Sequence, residues 1–112
     1  MKNGSNFRMV FVTTESYESA KQIAKILVSE KLAACCSIIN QTTSIFEWEG
    51  KTVERLEFIL LIKTAKHRID ELEKRILDLH HDEVPEILAV KVKEGLDKYL
   101  DWVDETVQKQ NI

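Results

Sequence analysis

Five residues near the last third of the chain form its densest run of metal-ligand types: His80, His81, Asp82, Glu83 and Glu86. Imidazole suits copper and zinc, and carboxylates can complete a shell around either ion. His80 and His81 are therefore the candidate metal ligands. Adjacent side chains on extended backbone diverge, so one ion shared by both needs a turn or ligands from another subunit. The competing reading is a polar helix end, where imidazole complements the negative end of the helix dipole. Cys35 and Cys36 are the only thiols. As neighbours on a strand they point to opposite sheet faces, which disfavours a mutual disulfide and leaves two reduced thiols. A cuprous ion would accept them as soft ligands, but cysteine in an apolar strand more often acts as a small hydrophobe. Signatures of catalysis are absent: the chain has no Gly-rich phosphate loop, Gly-x-Ser-x-Gly elbow or His-Glu-x-x-His. We expect no enzymatic activity.

The elements that must position these residues follow from periodicity. Arg8 to Thr14 carries four consecutive apolar residues and reads as a buried strand. Ser16 is a candidate N-cap for a helix whose apolar residues are Ala20, Ile23, Ala24, Leu27 and Val28, ending near Glu30. Leu32 to Ile39 reads as a second strand that continues extended through Trp48. Glu49-Gly50-Lys51 marks a hairpin tip, and Thr52 to Thr64 a long third strand. In that strand Leu56, Phe58, Leu60 and Ile62 face one way, and Glu57, Ile59, Leu61 and Lys63 the other. Ile69, Leu72, Ile76 and Leu79 define a second helix, Pro85 blocks its continuation, and Ile87 to Val92 is a fourth strand. Leu96, Leu100, Val103 and Val107 mark a last helix.

The order βαββαβ plus a terminal helix is an α+β, ferredoxin-like arrangement with an antiparallel sheet. Right-handed crossovers put the first two helices on the same sheet face. The strands are apolar on both faces, so the second face needs a cover. The terminal helix is expected to cover part of it and a homo-oligomer the rest, aided by a hairpin longer than one small sheet requires.

Composition agrees with a single domain over residues 8–112 behind a flexible tail at residues 1–7. The 112 residues carry a net charge of −3, which argues against nucleic-acid phosphate as a partner. No apolar run approaches the length of a membrane span or a signal peptide, so we expect a cytoplasmic protein with no membrane partner. An RNA-binding βαββαβ module wants a basic, glycine-containing aromatic strand, whereas residues 57–64 read EFILLIKT. An acylphosphatase-like phosphate loop is excluded by TTESYE at 13–18, which lacks Gly and Arg.

Six segments in order carry a family resemblance: VFVTT at 10–14, SEKLAACCSI at 29–38, TSIFEWEGK at 43–51, EFILLIKT at 57–64, HHDEVPEI at 80–87 and YLDWV at 99–103. The chain resembles the CutA, or divalent-cation-tolerance, proteins. That resemblance implies a ferredoxin-like homotrimer joined through intersubunit sheets and a role in divalent metal response. It also implies copper or another divalent cation as ligand and, in animal members, anchoring of acetylcholinesterase. At matched positions it assigns Trp48, Glu57, Lys63, Glu86, Tyr99 and Trp102 to an intersubunit ligand pocket. Two departures bear on metal. Family members read His-Pro-Tyr where this chain has His80-His81-Asp82, and the Cys and His proposed for copper in some bacterial members are Val12 and Leu79 here. Only His80 of that set is retained. The alternative function is a small-ligand sensor or scaffold analogous to the trimeric PII signalling proteins, although the compact EWEGK turn replaces their long mobile loop.

Overall fold

The computed structural model describes residues 1–109. Its elements are β1 (Lys2–Asn3), β2 (Phe7–Thr14), α1 (Tyr17–Ser29), β3 (Cys35–Trp48), β4 (Lys51–Ala65), a 3₁₀ turn (Lys66–Arg68), α2 (Ile69–Leu79), β5 (Ile87–Lys91), β6 (Glu94–Gly95) and α3 (Asp97–Thr106). The main sheet runs β3-β4-β2-β5 with every neighbouring pair antiparallel. Both crossovers therefore skip over one strand, as the expected ferredoxin-like pattern requires.

One face is sealed by α1 and α2. Ser16 caps α1 by accepting from the Ser19 N–H at 3.1 Å, and Ile23 and Leu27 reach zero exposure. They meet Val10, Val12, Leu60 and Ile62 from the sheet and Leu72 and Ile76 from α2 in a single core. Val28, expected on the buried face of α1, is instead 39% exposed.

The other face is covered only at one end. There α3 lays Leu100, Val103 and Val107 on Phe7 and Ala65. Leu96, expected in the same stripe, lies just outside the helix and is exposed. Beyond α3 the register lines up Phe11 with Leu61 and Leu88, and Met9 with Lys63 and Val90, on a face with no second layer. Ile59 and Leu61 are half-buried by their strand neighbours, while Leu88 and Val90 are exposed.

Two local features reshape β3. Lys31 takes a left-handed φ of 60°, which turns the chain so that the Leu32 and Ala33 N–H groups donate to Leu27 O. The strand therefore starts at Cys35, later than Leu32, because those residues complete the helix end. Between Ile39 and Thr42 the register slips, with Gln41 at φ 39°. This β-bulge switches the parity of β3, so Ser44 and Phe46 share a face with Arg55, Glu57 and Ile59. Glu49 and Gly50 close the hairpin with φ of 51° and 79°, the paired positive values of a two-residue turn.

The N-terminal residues are not the loose tail expected. Lys2 and Asn3 pair with Gly95 and Glu94, Lys2 bonds Asp101, and the Gly4 N–H donates to Lys93 O at 2.9 Å. A side chain at position 4 would meet Val92 O at 2.5 Å, so the close approach depends on glycine. No helix is long and apolar enough to cross a membrane among the described residues.

Ile62 fills the centre of the core with zero exposure. Ile62→Ala should lower stability by about 2–5 kcal/mol, read as a reduced denaturant midpoint at fixed protein concentration. Leu56→Ala, on the exposed hairpin flank, should cost less than about 1 kcal/mol in the same assay when the subunit is not assembled.

Candidate functional site

The hairpin of β3 and β4 overhangs the sheet beside the segment that joins α2 to β5. Between them lies a cleft of about 650 Å³ lined by Thr13, Ser44, Phe46, Trp48, Arg55, Glu57, Asp82, Glu83 and Glu86, among others. Three of the candidates, Trp48, Glu57 and Glu86, therefore share one site. Lys63 and Tyr99 line a separate hollow of about 170 Å³ beneath α3 with Met9, Val92 and Leu100. Trp102 stacks beside Tyr99 with ring centres 5.7 Å apart and is half-exposed. Within one subunit the six pocket candidates thus fall into two groups. Lys63 Nζ donates to Ser37 Oγ at 2.6 Å and lies 3.8 Å from Cys35 Sγ.

Arg55 organises the cleft, and sequence reasoning missed it. Its guanidinium donates to Asp82 Oδ1 and Oδ2 at 3.2 and 2.7 Å and to Glu57 Oε2 at 2.6 Å. The same group lies 5.9 Å from the Phe46 ring centre. The hydrogen bond from Arg55, followed by its charge, outweighs burial and holds Asp82 below the usual carboxylate range. The two carboxylates in turn raise Arg55 above its ordinary value. Arg55 Nε is buried without a partner among the described residues. Glu57 is 4% exposed, a depth at which a carboxylate is costly without such pairing. The signal available in the sequence was Arg55 and Glu57 at i and i+2 on one strand face. The partner in the 80s loop had no such signal.

The metal candidates have other duties. His80 Nε2 donates to Thr13 O at 2.6 Å, while its Nδ1 accepts from the Asp82 N–H at 3.0 Å. Both ring nitrogens are spent on backbone, so His80 positions the loop and offers no lone pair to an ion. This corrects the expectation that it is a ligand. His81 Nδ1 lies 2.8 Å from Glu15 Oε1, with the ring otherwise exposed. Burial pushes Glu15 up, but its own backbone hydrogen bond and His81 outweigh that and leave it lowered. Val12 is buried in the helix-side core and Leu79 packs against it, which leaves no ligand type at either position. Among the described residues no three His, Cys, Asp or Glu side chains are grouped to hold a metal. The thiols diverge as expected. Cys36 packs toward the helices, and burial, with a smaller contribution from Cys35, pushes it up to about 12. It is therefore a neutral, unreactive thiol near pH 7.

The Arg55–Asp82 pair fixes the pH response of the cleft. Asp82 is depressed in the fold, so its contribution to stability is complete above its unfolded value and disappears as pH falls through the folded one. The melting temperature should therefore drop as pH falls below about 4, and Asp82→Asn should show a shallower drop in a thermal series across that range.

Comparison with known proteins places this geometry. The family model described as CutA1 divalent ion tolerance protein matches residues 8–106. The divalent-cation tolerance protein CutA of Thermus thermophilus is 46% identical over 97 residues, covering 87% of this chain and 94% of that protein. Its counterpart in Archaeoglobus fulgidus is 38% identical over 88% of this chain and 96% of its own length. Among solved structures, CutA1 from Oryza sativa superposes with a TM-score of 0.91 at 34% identity, covering 97% of this chain and all of that one. Matched over nearly its full described length in both sequence and fold, the chain belongs to the CutA1 divalent ion tolerance protein family.

Proposed function

We propose that the chain acts as a homotrimer in the response to divalent cations, holding copper or a similar ion without catalysing a reaction. The observation that carries this reading is the open sheet face: Phe11, Leu61, Leu88 and Val90 align across three strands with no layer of the same subunit above their centre. An apolar surface of this extent is stable in water only when covered, and further copies of the chain cover it symmetrically. The names of the relatives support the cation side of the reading. Because His80 is committed to backbone, an ion would draw on His81 and carboxylates from more than one subunit. The proposed partners are thus further copies and a small ion, with neither nucleic acid nor membrane. The proposed compartment is the cytoplasm, in keeping with the two free thiols.

A second reading, a small-ligand sensor or scaffold, is favoured by the cleft that Arg55 organises.

Native mass spectrometry should give a three-subunit mass, and melting should rise with protein concentration where dissociation equilibrates. Leu61→Asp should sediment as a single subunit with its far-UV spectrum retained. A wild-type protein of one-subunit mass at every concentration would overturn the trimer. In calorimetric titration with Cu(II), His81→Ala should bind about tenfold more weakly. His80→Ala should leave affinity unchanged and cost about 1–3 kcal/mol of stability through its two lost hydrogen bonds. Equal affinity in all three proteins would remove His81 from the site.

A further inference from the structure

Away from the cleft, a hollow of about 530 Å³ lies where α1 ends, beside the 3₁₀ turn and the end of α3. Ser29, Glu30, Lys31, Arg68, Gln108 and Lys109 line it, and none of the pocket or metal candidates belongs to it. Arg68 is its fixed element. The side chain is 8% exposed, with Nε donating to Lys31 O and Nη1 to Glu71 Oε1, each at 3.2 Å. No acceptor among the described residues takes a hydrogen bond from Nη2. A charge at this depth is costly unless it is well paired, and here the pairing is thin. Glu71 Oε1 also takes Lys109 Nζ at 3.0 Å, so one carboxylate oxygen serves two cations. Lys31 has no ion-pair partner among the described residues. Glu30, the acidic residue on the lining, has both oxygens engaged by Arg75 at 2.9 to 3.2 Å. The end of α1 adds little negative character, because the Ile26, Leu27 and Val28 carbonyls already accept from the Glu30, Leu32 and Lys31 N–H groups. Three cations thus meet at a hollow whose own carboxylate is engaged elsewhere, in a chain of net charge −3.

We propose that this hollow binds a phosphoryl group, as free phosphate or as a phosphate monoester, with Arg68 Nη2 as the fixed donor and Lys31 and Lys109 as flanking charges. A guanidinium already held at Nε and Nη1 is pre-organised, and charge-assisted N–H···O bonds from it are of the strong kind. A phosphoryl dianion brings three acceptor oxygens to three donors and offsets the excess positive charge. A monocarboxylate brings two oxygens and a single charge. The volume exceeds what the bare ion fills and leaves room for the organic part of an ester. A ligand there joins the end of α1, the 3₁₀ turn and the end of α3, so occupancy should stabilise the fold. The site requires neither the metal nor the trimer.

The test is calorimetric titration of the full-length protein at low salt with inorganic phosphate, glycerol 3-phosphate, acetate and glycerol. The expected result is saturable binding of the two phosphates, about tenfold tighter than acetate, with no heat from glycerol. Glycerol 3-phosphate should also raise the melting temperature where sodium chloride of equal ionic strength does not. Arg68→Lys should weaken binding about tenfold, because the fork is lost while the charge stays. Lys109→Gln and Lys31→Asn, both exposed changes, should each weaken it about threefold and serve if Arg68→Lys fails to fold. Asn is chosen at position 31 because it tolerates the left-handed φ of 60°. Lys25→Gln, on α1 but off the lining, should leave affinity as it is. An ester that binds as tightly as phosphate, or tighter, identifies the ester as ligand, and one that binds more weakly identifies the free ion. A folded wild type with no saturable uptake of either phosphate overturns the proposal. So does unchanged affinity in both Lys31→Asn and Lys109→Gln, or an equal loss in Lys25→Gln.

Discussion

The arrangement rests on one mismatch: a sheet that is apolar on two faces and has a full helical layer on only one. Leu60 and Ile62 look into the layer formed by α1 and α2 and are fully buried. Their neighbours Ile59 and Leu61 point the other way, where α3 reaches only the far end. The alternation of β4 forces this division, because successive side chains of a strand cannot share a face. Hydrophobic stabilisation scales with the apolar area removed from water, so the uncovered face is unspent driving force. The proposed trimer uses it. The same face carries Arg55, Glu57 and Phe46 further along the hairpin, so the cleft lies on the side that the proposed trimer covers.

The cleft depends on electrostatics in the way the core depends on apolar area. Arg55 joins two elements that are far apart in sequence, the overhanging hairpin and the loop after α2. His80 anchors that loop from the other side through Thr13. Together they hold Asp82 against the hairpin by a charge-assisted pair and a backbone hydrogen bond. A run of residues that looks like a metal-ligand set is thus largely employed in building a wall.

Much of the fold was legible from periodicity. The two helices of the core layer, the long β4 and the hairpin tip all follow from apolar spacing and one glycine. What escaped was decided by backbone conformations that carry little sequence signal. Lys31 and Gln41 adopt positive φ without being glycine, and they set where β3 begins and which way its outer half faces. The pairing of Lys2 and Asn3 with β6 escaped because two-residue strands have no periodicity to read. The site was legible in part. Trp48, Glu57 and Glu86 converge, but Lys63, Tyr99 and Trp102 lie under or on α3. The duties of His80 depended on Thr13, a residue 67 positions away.

The slip at Asn40 and Gln41 has a consequence for how this hairpin tolerates change in length. Everything distal to it, from Thr42 to Trp48, owes its orientation to a single extra residue. Removing that residue would leave a regular ladder in which Phe46 and Trp48 keep their partners Val53 and Lys51 and their face, whereas pairing the present length without the slip would turn them to the back of the hairpin and bring Ile45 and Glu47 to the front. What is restrained at this point of the chain is therefore the slip itself: a one-residue gap would relieve it and keep the cleft wall, while an unbroken ladder of the present length would erase that wall and leave the core intact.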